Sequence, residues 1–120
     1  MAEISNPRVG AKAGFPGTKV FDAIGVVAWT NLDLSAVVGA NPALVFLKVI
    51  NKSGGNANFQ FRPEGDTDTW LTLAASGAAT VQNNGVVGIV MTTNAAGILE
   101  WLVSVAAGTI EVYVLGWIRA

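Results

Sequence analysis

The stretch from Gly97 to Ile118, GILEWLVSVAAGTIEVYVLGWI, constrains the fold more than any other part of the chain. Val, Ile, Leu, Trp and Tyr dominate it, and these residues suit a pleated, half-buried surface. It reads as two β-strands joined by a turn at Ala106-Ala107-Gly108-Thr109. Successive side chains of a strand point to opposite faces. Ile110, Val112 and Val114 therefore share one face of the second strand, and Tyr113, Leu115 and Trp117 share the other. In the first strand Leu99, Trp101 and Val103 are opposed by Ile98 and Leu102. A sheet with one solvated face alternates apolar and polar residues, yet here both faces are largely apolar. One face can line the chain's own core, while the other needs a second sheet, a loop or another copy of the chain. This surplus of apolar surface points to a part that assembles, not one that catalyses.

Composition sharpens the point. Hydrophobic residues make up 52% of the 120-residue chain and charged residues 12%, against roughly 25% charged in an ordinary domain. A surface so poor in charge suits one covered by neighbours. The length fits one domain with a real core. The net charge is −1 and no Lys or Arg lies between Arg62 and Arg119, so no basic stripe for nucleic acid is expected. There is no cysteine and no histidine. This removes disulfides, thiolate metal sites, the commonest general base and the commonest metal ligand. The N-terminal Met1-Ala2-Glu3-Ile4-Ser5-Asn6 lacks the basic flank and apolar core of a secretory signal. Glu100 and Glu111 interrupt the apolar C-terminal half, so no run of about 18 apolar residues is left to span a membrane. The expectation is a soluble β protein.

In chain order, residues 1–17 carry Pro7, Gly10, Gly14, Pro16 and Gly17 with little periodicity. They read as an extended N-terminal arm ahead of a β-sandwich domain at 18–120. Such an arm is either a disordered terminus or a strap lying on a neighbouring subunit, with Ile4 and Phe15 as its anchors. Residues 18–30 read as one strand or a bent pair, with Gly25 marking a bulge or a close backbone approach. A strand end and a single helical turn or loop follow before Gly39 and Pro42. Ala43 to Asn51 forms a strand with Val45, Leu47 and Val49 inward and Lys48 outward. After the turn signal Ser53-Gly54-Gly55-Asn56, Asn58, Gln60 and Arg62 alternate with Phe59 and Phe61. Short strands at 70–73, 79–82 and 86–92 precede the C-terminal pair. Seven or eight strands at short spacing favour an all-β, antiparallel β-sandwich of jelly-roll-like form.

The acidic run Glu64, Asp66 and Asp68 could begin a calcium loop. However, the twelfth residues of loops beginning at Glu64 and Asp66 are Ala75 and Gly77, which cannot close it. A solvated loop or an ion pair with Arg62 is the expectation. Asp22, Asp33, Glu100 and Glu111 could pair across a sheet as glycosidase-like carboxylates, though nothing in the sequence brings two together. The serines sit in no nucleophile-elbow pattern, and no glycine-rich phosphate loop occurs. No catalytic, cofactor or metal residue is assigned. Trp29, Trp70, Trp101, Trp117 and Tyr113 could form a sugar platform. Core or interface packing is the favoured use of such residues, and Trp70 beside the acidic loop is the best candidate for exposure.

The series Leu32-Asp33-Leu34-Ser35, Ala43-Leu44-Val45-Phe46-Leu47-Lys48-Val49, Phe61-Arg62-Pro63-Glu64-Gly65-Asp66, Gly97-Ile98-Leu99-Glu100-Trp101 and Val112-Tyr113-Val114-Leu115-Gly116-Trp117 resembles small β-sandwich virion proteins of tailed bacteriophages. Head-decoration proteins and jelly-roll modules of tails and fibres belong to this group. The resemblance spans roughly residues 29–118, leaves the arm uncovered, and rests on strand-and-turn patterns. It implies a jelly-roll fold, symmetric oligomers (often trimers) and a structural role on a particle surface, with no catalytic residues. The expected function is therefore a non-enzymatic capsid-decorating or capsid-stabilising subunit, a homotrimer bound to the major capsid protein or another virion protein. The expected interface residues are Ile4, Phe15, Trp101, Tyr113, Leu115 and Trp117. The alternative is a carbohydrate- or receptor-binding module of a tail fibre.

Overall fold

The computed structural model describes residues 3–4, 17–75, 85–104 and 108–119. Its strands are β1 (Glu3–Ile4), β2 (Thr18–Ile24), β3 (Thr30–Asp33), β4 (Ala43–Lys52), β5 (Ala57–Pro63), β6 (Leu71–Ala75), β7 (Gly85–Thr92), β8 (Ile98–Val103) and β9 (Thr109–Arg119). One helical turn, α1 (Ser35–Val38), follows β3, where a turn was expected. One sheet has the order β2-β9-β4-β7, with the two-residue β1 also on the β2 side of β9; the other has the order β3-β8-β5-β6. Every pairing is antiparallel. The pairs β2·β9, β3·β8, β4·β7 and β5·β6 are nested one inside the next, so the chain is a long double ribbon rolled until β9 meets β4 and β8 meets β5. That is the strand order of a jelly roll. The expected antiparallel β-sandwich is what the sequence forms.

The core lies between the two inward rows. Val45, Leu47 and Val49 of β4 and Ile110, Val112 and Val114 of β9 face Phe59 and Phe61 of β5 and Leu99, Trp101 and Val103 of β8. Trp101 is at its centre. Phe59 and Phe61 stack nearly parallel to it at 6.3 and 6.1 Å, and Phe21 of the opposite sheet meets it edge-on at 4.7 Å. Edge-to-face and offset contacts of this kind add about 0.5–1.5 kcal/mol each to the burial of the rings. The loop from β7 to β8 is held against α1. Leu34 N–H donates to Gly97 O at 2.9 Å, and a Cβ on Gly97 (φ +79°) would lie 2.3 Å from Gly39 O. Only glycine fits there.

Three readings of the sequence need correction. The C-terminal strands do not form a pair, because β8 belongs to the four-stranded sheet and β9 to the five-stranded one. Each turns an apolar row toward the same core from opposite sides, and alternation alone cannot tell this from a hairpin. Residues 18–30 hold only one strand, β2, and the crossing to the other sheet, where β3 begins at Thr30; Gly25 is buried at the crossing and Val26 O accepts from Val103 N–H. Finally, Trp117 is not on the face of Tyr113. The β9 register jumps from Gly116 opposite Phe46 to Val114 opposite Leu47. Leu115 is thus an extra residue, and a bulge of this kind switches the facing of everything beyond it. Trp117 falls opposite Val45 and packs against the core. The strand expected at 79–82 lies outside the described residues.

Candidate functional site

The outward face of the five-stranded sheet is built by β2, β9, β4 and β7, and its two ends differ. At one end Asp22 is the register partner of Glu111, and Lys19 of Tyr113. Like charges directly opposite one another repel, and each carboxylate here has its own lysine. Lys19 Nζ lies 2.9 Å from Asp22 Oδ2, and Lys52 Nζ lies 3.1 Å from Glu111 Oε2. Tyr113 Oη donates to Glu111 Oε1 at 3.1 Å. Burial, then this bond to Glu111, pushes the Tyr113 phenol up from its ordinary pKa; the bond to Asp22 raises that of Lys19. Asp22 and Glu111 are therefore the two acids of the four considered that one face brings together, locked in ion pairs. At the other end the register sets Leu44 beside Ile118, and Phe46 beside Val90. These side chains are half-buried except Val90, which is 48% exposed.

The outward face of the four-stranded sheet is mostly polar. Asn58, Gln60 and Arg62 of β5 alternate with the core phenylalanines, as the sequence predicts. Register places Arg62 opposite Glu100. Arg62 Nε donates to Glu100 Oε1 at 3.1 Å, Nη1 donates to Thr67 O, and the guanidinium lies 3.9 Å from the Trp29 ring centroid. Arg62 thus pairs with a neighbouring strand and not with the acids that follow it in sequence.

Those acids diverge. Glu64 Oε2 accepts from Asn94 Nδ2 at 2.6 Å, while Asp66 accepts from Trp70 Nε1 at 2.6 Å and from Asp68 N–H at 3.1 Å. Bonds from the Asp68 amide and the Trp70 indole hold the Asp66 carboxyl below its ordinary pKa; the hydroxyl and amide of Ser35 do the same for Asp33. Among the described residues no three His, Cys, Asp or Glu side chains are placed to hold a metal ion, and no helix is long and apolar enough to cross a membrane.

Of the expected interface residues, Trp101 is 1% exposed and has no surface to give a partner. Tyr113 is 3% exposed and engaged with Glu111. Leu115 is half-buried at the bulge, and Trp117 packs inward with Arg119 over its ring at 4.8 Å. The backbone of Ile4 pairs with Ile118 of the same chain, and Phe15 lies outside the described residues. Leu44, Phe46, Val90 and Ile118 are outward apolar residues that sequence reasoning missed, as are Ile24 and Val27, which are more exposed than Val90. The signal was present in the Leu44/Phe46 parity of β4, opposite its inward valines. No protein-family model matches the chain, and no curated protein matches its sequence.

Proposed function

We propose that the chain is a non-enzymatic structural subunit of a tailed-bacteriophage virion, a capsid-decorating or capsid-stabilising protein. It works as a closed oligomer, a trimer, seated on the particle surface against the major capsid protein. One observation carries this reading. The core is complete without Leu44, Phe46, Val90 and Ile118, yet these residues form an outward apolar group, bordered by Lys48 on the same face of β4. Contiguous apolar surface on a soluble protein marks an interaction site more often than chance, and closed symmetry satisfies such a surface without open-ended growth. The jelly-roll strand order is one that viral shell proteins use, as lectins do.

The test is sedimentation of the full chain beside Phe46→Asp and Val90→Asp variants, followed by binding to undecorated particles. The expected result is a stable oligomer that becomes monomeric, still folded, in the variants, with particle binding reduced. A wild-type monomer at micromolar concentration overturns the reading.

A further inference from the structure

The face opposite the assembly surface carries its own observation. Trp70 is 53% exposed. Isolated exposed hydrophobics are ordinary, but this indole is held in place. Its Nε1–H donates to the Asp66 carboxylate at 2.6 Å, and its backbone N–H donates to Phe61 O at 3.1 Å. Asp66 is in turn fixed by the Asp68 N–H. A charge-assisted bond of that length is strong, so the ring has little rotamer freedom left to lose when something stacks on it.

The surroundings of the ring define what would stack. Trp70 directly precedes β6, whose Leu71 pairs with Phe61, and Arg62 of β5 is opposite Glu100. The following outward row holds Thr72, Gln60 and Leu102. Arg62 and Glu100 neutralise each other, and their side chains are only 14% and 17% exposed. Beside the fixed indole the face therefore presents Gln60 and Thr72 with the apolar Leu102, and among the described residues the unpaired charges near the ring are the acids Asp66 and Asp68. Trp29, just before β3 at the other edge of the sheet, holds its ring 3.9 Å from the Arg62 guanidinium.

We propose that this face is a binding site for an uncharged oligosaccharide, with Trp70 as the stacking platform, Asp66 as the residue that positions it, and Gln60 and Thr72 as hydrogen-bonding groups. A pyranose ring offers an apolar C–H face to an indole and hydroxyls to amides. An anionic glycan would find no free countercharge, because Arg62 is already committed to Glu100 and the carboxylates of Asp66 and Asp68 lie beside the ring. The site is independent of the assembly reading, since it uses the other sheet.

The experiment is a titration of the ¹⁵N-labelled full chain with maltohexaose, cellohexaose, laminarihexaose and chitohexaose, each to millimolar concentration, following the four tryptophan indole N–H resonances. The expected result is a saturable shift of the Trp70 indole with at least one of these sugars, while the Trp101 indole stays still. Affinity should fall about tenfold or more in Trp70→Ala, as for a central aromatic contact. It should fall less in Asp66→Asn and least in Trp70→Phe, with circular dichroism unchanged. The Phe46→Asp variant should bind as wild type. No saturable Trp70 shift with any of the four sugars overturns the proposal, as does equal affinity in Trp70→Ala. Tighter binding of oligogalacturonate than of the neutral sugars overturns its claim of an uncharged ligand.

Discussion

The two sheets obey the same alternation but differ in regularity. The β3-β8-β5-β6 sheet runs without a register shift in any of its pairings. The β2-β9-β4-β7 sheet is interrupted in all three of its long pairings, between Lys19 and Phe21, between Leu47 and Lys48, and between Phe46 and Leu47. Bulges increase local twist and re-aim side chains. In the regular sheet, every second residue of β5 is polar and outward. In the bulged sheet, Trp117 returns to the core two residues beyond Leu115 and so covers the end of the sandwich. One sheet keeps its pattern and presents an outward face that is mostly polar, with Ile98 and Leu102 among its polar residues. The other breaks its pattern to wrap the core, and its outward face divides into a charged end and an apolar end.

The sharpest way to break this comparison is at the two tryptophans. Trp101→Ala, at the centre of the aromatic group, should cost about 3–5 kcal/mol, read as a shift of the urea midpoint with the slope unchanged. Trp117→Ala should cost about 2 kcal/mol, because the ring is only partly buried and loses its stack with Arg119 as well. If the two costs are equal, the bulge contributes more to the core than its partial exposure indicates. If Trp117→Ala costs nothing, the bulge does not serve the core at all.

Next in size is the ion pair of the regular face. Glu100→Gln leaves the largely buried Arg62 without its carboxylate, and a loss of about 1 kcal/mol or more is expected. The Trp29 contact should loosen with it, visible as a shift of the Trp29 indole N–H resonance in the ¹⁵N-labelled chain. The smallest effect belongs to the bulged face and is read spectroscopically. Tyr113 is the only tyrosine in the chain, so near-ultraviolet absorbance titrates it alone. Its phenol pKa is raised by burial and then by Glu111, so the midpoint should lie above about 10 and move down in Glu111→Gln. The sign for stability follows. The contribution is whole below the unfolded value and is lost as pH rises through the folded one. A midpoint at the ordinary value would mean that Tyr113 does not meet Glu111.

How far the chain could be read in advance follows the same division. The Asn58-Phe59-Gln60-Phe61-Arg62 alternation gave β5 its faces directly, and Gly39 and Pro42 marked the end of α1. Alternation assigns a residue to a face, however, and not a strand to a sheet. For that reason the strands of residues 97–118 passed for a pair when their partners are β3, β5, β2 and β4. Arg62 was matched to the acids nearest in sequence, whereas register delivered Glu100 from another strand. An extra residue such as Leu115 has no signature of its own in an apolar run, so the facing of Trp117 was out of reach. Trp70 was singled out for exposure correctly, but the carboxylate that fixes it follows from the tight path of the 63–70 loop.

The nested pairing also has a consequence in time. Only β5 and β6 are neighbours both in sequence and in space among the four nested pairs, while Thr18 finds its partner at Val114. Closing a long loop costs entropy that grows with the logarithm of its length, and chains dominated by distant pairings fold in milliseconds to seconds. Once β5 and β6 have met, the loop that β4 and β7 must close is already shortened, and the same holds outward for β3 with β8 and β2 with β9. Folding by zippering from the middle is thus the low-entropy route. On a ribosome the rolled ribbon cannot be finished until β9 has emerged, so β4 waits with its outer edge open longer than any other central strand.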